Sequence, residues 1–425
     1  MRRRWRGAVA ALAAGLLACP VACTGPGTDR DAGRAPFQAV LDRQAEAVRD
    51  GDRAAYLATV DPRAARYRDA QRTVFRNLTR LPFAQWSYHV TATGDAAFPL
   101  PRGTRQGPRR VAVRAELRYR VRGYDTVPVR DVEYLTLTER RGRWYVSSDS
   151  DGAAGGRRST RQLWEQGEMT VVRGERSLVL GTGREEAVLR ALAADADRAV
   201  PEVTAVWPRP WPRRVLVQAP SSLRRMAELL GGPPASYQGV AAVTTGEVGG
   251  RGAAPAERIV VNPQAYGLLG PQGRRIVMTH ETTHVATRPY TTEAVPMWLS
   301  EGFADWVGYR GTGRDPARVA PRLAAAVRQD EVPRRLPTDE DFDFAGDGDR
   351  LARAYESGWL VCRMVAERWG REKLVELYLA AGRNGADGTA GGTGDAAVRE
   401  VLGIGLDELT ERWRAYVRAE LGDGG

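Results

Sequence analysis

Three histidines occur in the 425 residues, and two of them fall in one five-residue run, His280-Glu281-Thr282-Thr283-His284. Residues four apart lie on one face of a helix, so both imidazoles can reach one metal ion. Glu281 points to the side of that pair, where it can act on a metal-bound water instead of binding the metal. The flanks Ile276-Val277-Met278-Thr279 and Val285-Ala286 carry no charge, as a buried metal helix requires. A second helix-like segment, Trp298-Leu299-Ser300-Glu301-Gly302-Phe303-Ala304-Asp305, supplies a third ligand candidate in Glu301. Zinc takes nitrogen and oxygen ligands, and its catalytic sites keep three protein ligands plus a water. The expected cofactor is therefore Zn2+, on His280, His284 and Glu301.

Residues 276–309 resemble the gluzincins, the thermolysin and aminopeptidase-type zinc peptidases, and more closely the bacterial peptidase MA-like domains. Met297-Trp298-Leu299-Ser300-Glu301-Gly302-Phe303-Ala304 resembles the third-ligand helix of the aminopeptidases in that clan. A metzincin would need Gly and His where this chain has Thr287 and Tyr290. The resemblance implies hydrolysis of peptide bonds in a peptide or protein substrate. It makes Glu281 the general base that takes a proton from the zinc-bound water and passes it to the leaving amine. It has Asp305, one helical turn after Glu301, orient a zinc histidine through its other ring nitrogen. Tyr355, in Ala354-Tyr355-Glu356-Ser357-Gly358-Trp359-Leu360-Val361, resembles the catalytic tyrosine that assists the oxyanion. Its spacing with Trp359, Cys362 and Val365 suits a core stripe equally well. By the same resemblance, the strand at 257–263 would line the cleft and pair with extended substrate. No amine-anchoring glutamate motif stands before the metal helix, so exopeptidase activity gains no support.

The surrounding pattern predicts an α+β fold. Strands at 177–181 and 213–218 enclose a helix over 184–200, followed by a short helix, the 257–263 strand and the two metal helices. This order fits a zincin-like metallopeptidase domain over 164–425, with a helical C-terminal half. A helix is predicted over 317–328. Asp339-Glu340-Asp341-Phe342-Asp343 and Asp347-Gly348-Asp349 then read as a solvated acidic loop near the cleft, favouring basic substrates. Phe344 and Arg350 stand where a calcium loop needs Gly and Glu, so that reading fails. Helices over 353–369 and 371–381, a Gly-rich loop over 382–394 and a last helix over 406–421 complete the chain.

In front lies an α+β domain over 36–150. It comprises two helices, near 37–48 and 64–78, and strands near 86–93, 110–122, 129–139 and 143–148. This pattern resembles the cone-like nuclear-transport-factor-2-like superfamily. His89 reads as a structural strand residue. Residues 151–163 read as a linker.

Residues 1–23 read as an export signal of lipoprotein type, with Arg2, Arg3, Arg4 and Arg6 before an apolar stretch from Ala8 to Ala18. Lipidation is expected at Cys23 or Cys19, and residues 24–35 would be a flexible tether. The expected place is the outer face of the cytoplasmic membrane, with secretion as the alternative. Cys362 is expected as a buried free thiol, with no disulfide framework. The net charge of +11 comes almost wholly from arginine, with Lys373 the one lysine. No nucleic-acid module accompanies that charge, and attraction to anionic lipid or wall polymer is its expected consequence. Two rival readings stand beside the peptidase: a non-catalytic surface module binding a cell-envelope partner, and a zinc hydrolase of a non-peptide amide. The sequence sets no oligomeric state.

Overall fold

The computed structural model describes residues 28–101, 107–245, 257–343, 347–384 and 393–422. The segment expected as an export signal, with Cys19 and Cys23, lies outside the described residues. Among the described residues, no helix is long and apolar enough to cross a membrane.

The fold is mixed α+β, with a sheet in front and a helical C-terminal half. Three helices open it: α1 (Thr28–Asp50), α2 (Arg53–Ala58) and α3 (Ala65–Leu78). Helix α1 thus begins inside the segment expected as a tether; its Ala, Arg and Asp content is compatible with helix. Four antiparallel strands follow in sequential order: β1 (Phe83–Thr93), β2 (Arg110–Val121), β3 (Val129–Arg140) and β4 (Arg143–Ser148). Phe37, Val40 and Leu41 of α1 pack against Val90, Val113, Leu135 and Leu137 of this sheet.

Residues 159–164 run along β3. Thr160 donates its backbone N–H to Val132 O, and Ser159 Oγ accepts from Tyr134 N, both at 2.9 Å. Leu163 and Trp164 are buried.

A five-stranded second sheet runs in the order β5 (Met169–Arg173), β6 (Ser177–Thr182), β7 (Val215–Ala219), β9 (Ile259–Val261), β8 (Ala242–Thr244). Strand β6 is parallel to β7, and β7 to β9, while β5 and β8 run antiparallel at the two edges. Strands β6 and β7 are buried at every residue, which explains their unbroken apolar runs. Val179, Val215 and Val217 face the helical core under α4 (Glu186–Thr204). Leu178, Leu180 and Leu216 face the opposite way, into a cluster with Trp86, Tyr119 and Trp164. The front sheet and the 163–164 segment therefore cover the second face of this sheet.

Helix α5 (Leu223–Leu230) precedes β8, and α6 (Pro263–Gly267) follows β9. Two central helices come next, α7 (Pro271–Thr287) and α8 (Met297–Tyr309). Pro271 opens α7 at a position where its missing N–H costs nothing, and Pro289 stands just beyond its end. The expected helix over 317–328 is two pieces, α9 (Pro316–Val319) and α10 (Pro321–Arg328), because Pro321 disfavours helical backbone at Ala320. The rest is α11 (Gly348–Arg368), α12 (Arg371–Asn384), α13 (Thr393–Leu402) and α14 (Leu406–Gly422). Helix α13 was absent from the sequence reading, which ran its Gly-rich loop to Gly394; residues 385–392 of that loop lie outside the described residues. Cys362 is a buried free thiol.

The acidic loop is solvent-exposed at Asp339, Glu340, Asp343, Asp347 and Asp349. Asp341 is bound by Arg335 and Arg350, Asp349 by Arg322, and Asp339 Oδ1 accepts from Met297 N at the start of α8. Asp339, Asp341 and Asp349 thus also brace local structure.

Candidate metal centre

Helix α7 presents His280 and His284 one turn apart, and α8 crosses it to present Glu301. One donor atom from each of the three residues lies within 4.8 Å of the others. The two Nε2 atoms face each other at 2.9 Å, and Glu301 Oε2 stands 3.3 Å from His280 Nε2 and 3.6 Å from His284 Nε2. Glu301 is 2% exposed and His284 3%. Glu301 Oε2 is buried without a hydrogen bond of normal geometry. Such an orphan is costly, unless a cation occupies the point on which the three donors converge. Two imidazoles and a carboxylate are a zinc donor set, so the residues fit the metal.

Electrostatics agree. Burial alone would make His280 less basic, but the charge and hydrogen bond of Asp305, joined by Glu301, raise it well above the usual histidine range. Burial would likewise raise Glu301, but the charge of His284 and the close approach of both imidazoles hold it far below the usual carboxylate range. A pocket that favours positive charge on its imidazoles also favours a bound cation. Asp305 Oδ1 lies 2.8 Å from His280 Nδ1. If Nδ1 carries the proton, the Nε2 lone pair is left facing the cluster.

Glu281 follows His280 on α7 and is 5% exposed. Thr244 Oγ1 donates to its Oε2 at 2.7 Å. Thr244 ends strand β8 and was missed in the sequence, since nothing local marks a threonine 37 residues upstream as a partner of Glu281. A cleft of about 410 Å³ opens beside the centre. His280, Glu281 and Asp305 line it, with Val240–Val243 on one side and Tyr355 and Trp359 of α11 on another. The Tyr355 ring lies 6.5 Å from the His280 ring and 5.3 Å from Phe342, so it belongs to both the cleft wall and the packing stripe. Tyr309 also lines the cleft, its phenol pushed up to about 12 chiefly by burial, and was likewise missed. Glu356 accepts from the backbone of Arg322 and Leu323 at 3.3 and 2.8 Å and so caps α10.

The cleft-lining strand is also corrected. The strand expected over 257–263 is β9 (Ile259–Val261), which is paired on both sides; among the described residues β8 is the edge strand at the cleft. His89 is exposed on β1 and joins no metal-binding group among the described residues.

No family model matches the chain, and no curated protein does. Among solved structures, it is similar to a mutant of a two-domain M1 zinc metallopeptidase bound to L-arginine, at 14% identity and a TM-score of 0.35. The match covers 66% of this chain and 58% of the other. A mutant M1 zinc metallopeptidase from Deinococcus radiodurans, bound to a Tyr-Ser-Ala substrate, matches at 15% identity and a TM-score of 0.30. That match covers 67% of this chain and 59% of the other. The chain thus spans less than two thirds of the length of either structure. Overlap this loose assigns neither fold nor function.

Proposed function

We propose that the chain is a zinc-dependent peptidase. One observation carries the reading: three donor atoms, two of them on buried residues, converge next to the Glu281 carboxylate, beside a cleft lined by strand β8. His280, His284 and Glu301 hold the zinc, which supplies polarisation of the scissile carbonyl and a water of lowered pKa. Asp305 keeps the His280 ring oriented. Glu281 takes the proton of the attacking water and delivers it to the leaving amine. Thr244 holds one Glu281 oxygen, which limits the carboxylate's rotation. The Tyr355 phenol serves as donor to the developing oxyanion. Strand β8 offers its free edge to an extended peptide, as strand addition requires. Ile276, Val277, Leu351 and Trp359 make part of the wall apolar.

The proposal extends to place. Lipidation at Cys23 or Cys19 would hold the enzyme outside the cytoplasmic membrane, where peptides and envelope proteins are its substrates.

The test is metal content of the purified chain and of Glu281→Gln, with a peptide library and wall fragments assayed on both. The expected result is one zinc per chain in each and peptide cleavage by the wild type alone, with turnover lower in the variant by about 10²–10⁴-fold. Zinc in both, with cleavage of wall amides only, would make it a hydrolase of non-peptide amides. Zinc in both and no hydrolysis by either would favour the binding-module reading.

A further inference from the structure

The general base is tied to the front unit by a run of hydrogen bonds. In the turn between β2 and β3, the side chain of Asp125 is fully enclosed. Its Oδ2 accepts from Val121 N at 2.7 Å, which braces the carboxylate on its own strand. Both oxygens then accept from Arg258, at 2.5 Å from Nη1 and 2.9 Å from Nη2. The Arg258 side chain is itself 7% exposed. Arg258 stands just before β9, and its backbone clasps the end of β8. Its N–H donates to Thr245 Oγ1, and its carbonyl accepts from Thr245 N, both at 2.9 Å. The residue before Thr245 is Thr244, which holds Glu281. A second hold comes from the C-terminal end of α7, where Arg288 Nη2 donates to Thr245 O at 3.3 Å.

Strand β8 has three residues and, among the described residues, a strand partner on one side only. Such a strand opens easily, and its register needs outside support. A buried ion pair gives little net stability over apolar packing of the same shape. What a bidentate arginine–carboxylate pair does supply is fixed geometry. The geometry points to Asp125 and Arg258 as positioning residues: the front unit holds Thr244, and through it Glu281, at the cleft. The inference rests on the peptidase reading for its catalytic consequence, but the mechanical tie does not depend on it.

The experiment compares wild type, Asp125→Asn, Arg258→Lys and Thr244→Val, and the first two substitutions each combined with Thr244→Val. It measures amide hydrogen exchange over residues 242–245 with and without zinc, zinc content, kcat and KM. Asp125→Asn should speed exchange over 242–245 in both metal states and leave zinc content unchanged. It should lower kcat by about tenfold, the scale of one lost hydrogen bond to a charged group, with KM little altered. Arg258→Lys should follow it, because an ammonium cannot replace the fork. In the Thr244→Val background the kcat loss should vanish, since the effect passes through Thr244. If Asp125→Asn fails to fold, Asp125→Asn with Arg258→Met removes both charges and carries the same measurements. Unchanged exchange over 242–245 would overturn the proposal, as would an undiminished kcat loss in the Thr244→Val background. An inactive wild type with faster exchange in the variants would support the tie and remove only the peptidase reading.

Discussion

Asp305 shows what a single side chain contributes at this centre. Its Oδ1 lies 2.8 Å from the ring nitrogen of His280 that does not face the cluster, so under the proposed function it would fix a ligand without being one. Asp305→Ala should weaken zinc binding by about 10–100-fold, measured by competition with a chelator. Unchanged affinity would return Asp305 to the status of a solvated helix carboxylate. His280, Glu281, His284, Glu301 and Asp305 were all legible in the sequence, because each stands at helical spacing from another. Thr244 and Tyr309 were not, because their claim on the site comes through space.

At the scale of elements, the centre depends on how closely α8 approaches α11. A Cβ added at Gly302 would fall 2.2 Å from the carbonyl oxygen of Gly358, which is backbone and cannot swing away. The two helices touch at that pair of glycines, one residue after Glu301 and three residues after Tyr355. Gly302→Ala should therefore cost about 1–3 kcal/mol by overpacking, read as a lower midpoint in thermal or denaturant unfolding. It should also weaken zinc binding, since any shift of α8 moves Glu301. A variant as stable as the wild type would mean that the crossing is looser than described. The strand assignments carry a related lesson. The pattern at 257–263 identified a strand, but whether a strand lies inside a sheet or at its edge depends on partners elsewhere in the chain. Strand β8, three residues long, leaves too short an alternation to read.

Across the whole molecule, the two sheets share one apolar cluster. Trp164 stands at its middle, with ring centroids 5.2 Å from Tyr119, 5.8 Å from Trp86 and 6.0 Å from Phe83. Asn77 of α3 reinforces the seam, donating to Trp164 O and Gly167 O at 2.8 and 2.7 Å and accepting from Met169 N at 3.1 Å. Trp164→Ala should cost about 3–5 kcal/mol, and calorimetry should show the front sheet and the second sheet unfolding together in one transition. Two transitions, with only one displaced by the substitution, would instead describe two independently folding units.

By itself, the sequence determined the local periodic features: the helix with two imidazoles on one face, the helix with the carboxylate that is the third ligand candidate, and the strands at 177–181 and 213–218. Those features depend on backbone geometry repeated every few residues, which any helix or strand imposes. Tertiary structure alone decided which strand borders the cleft, that acidic residues near it brace loops and helix ends, and that the front unit covers the second sheet. It also decided that Asp125 reaches Arg258, 133 residues away in the chain. These depend on which surfaces meet, and burial rewards a meeting of complementary faces at any sequence distance.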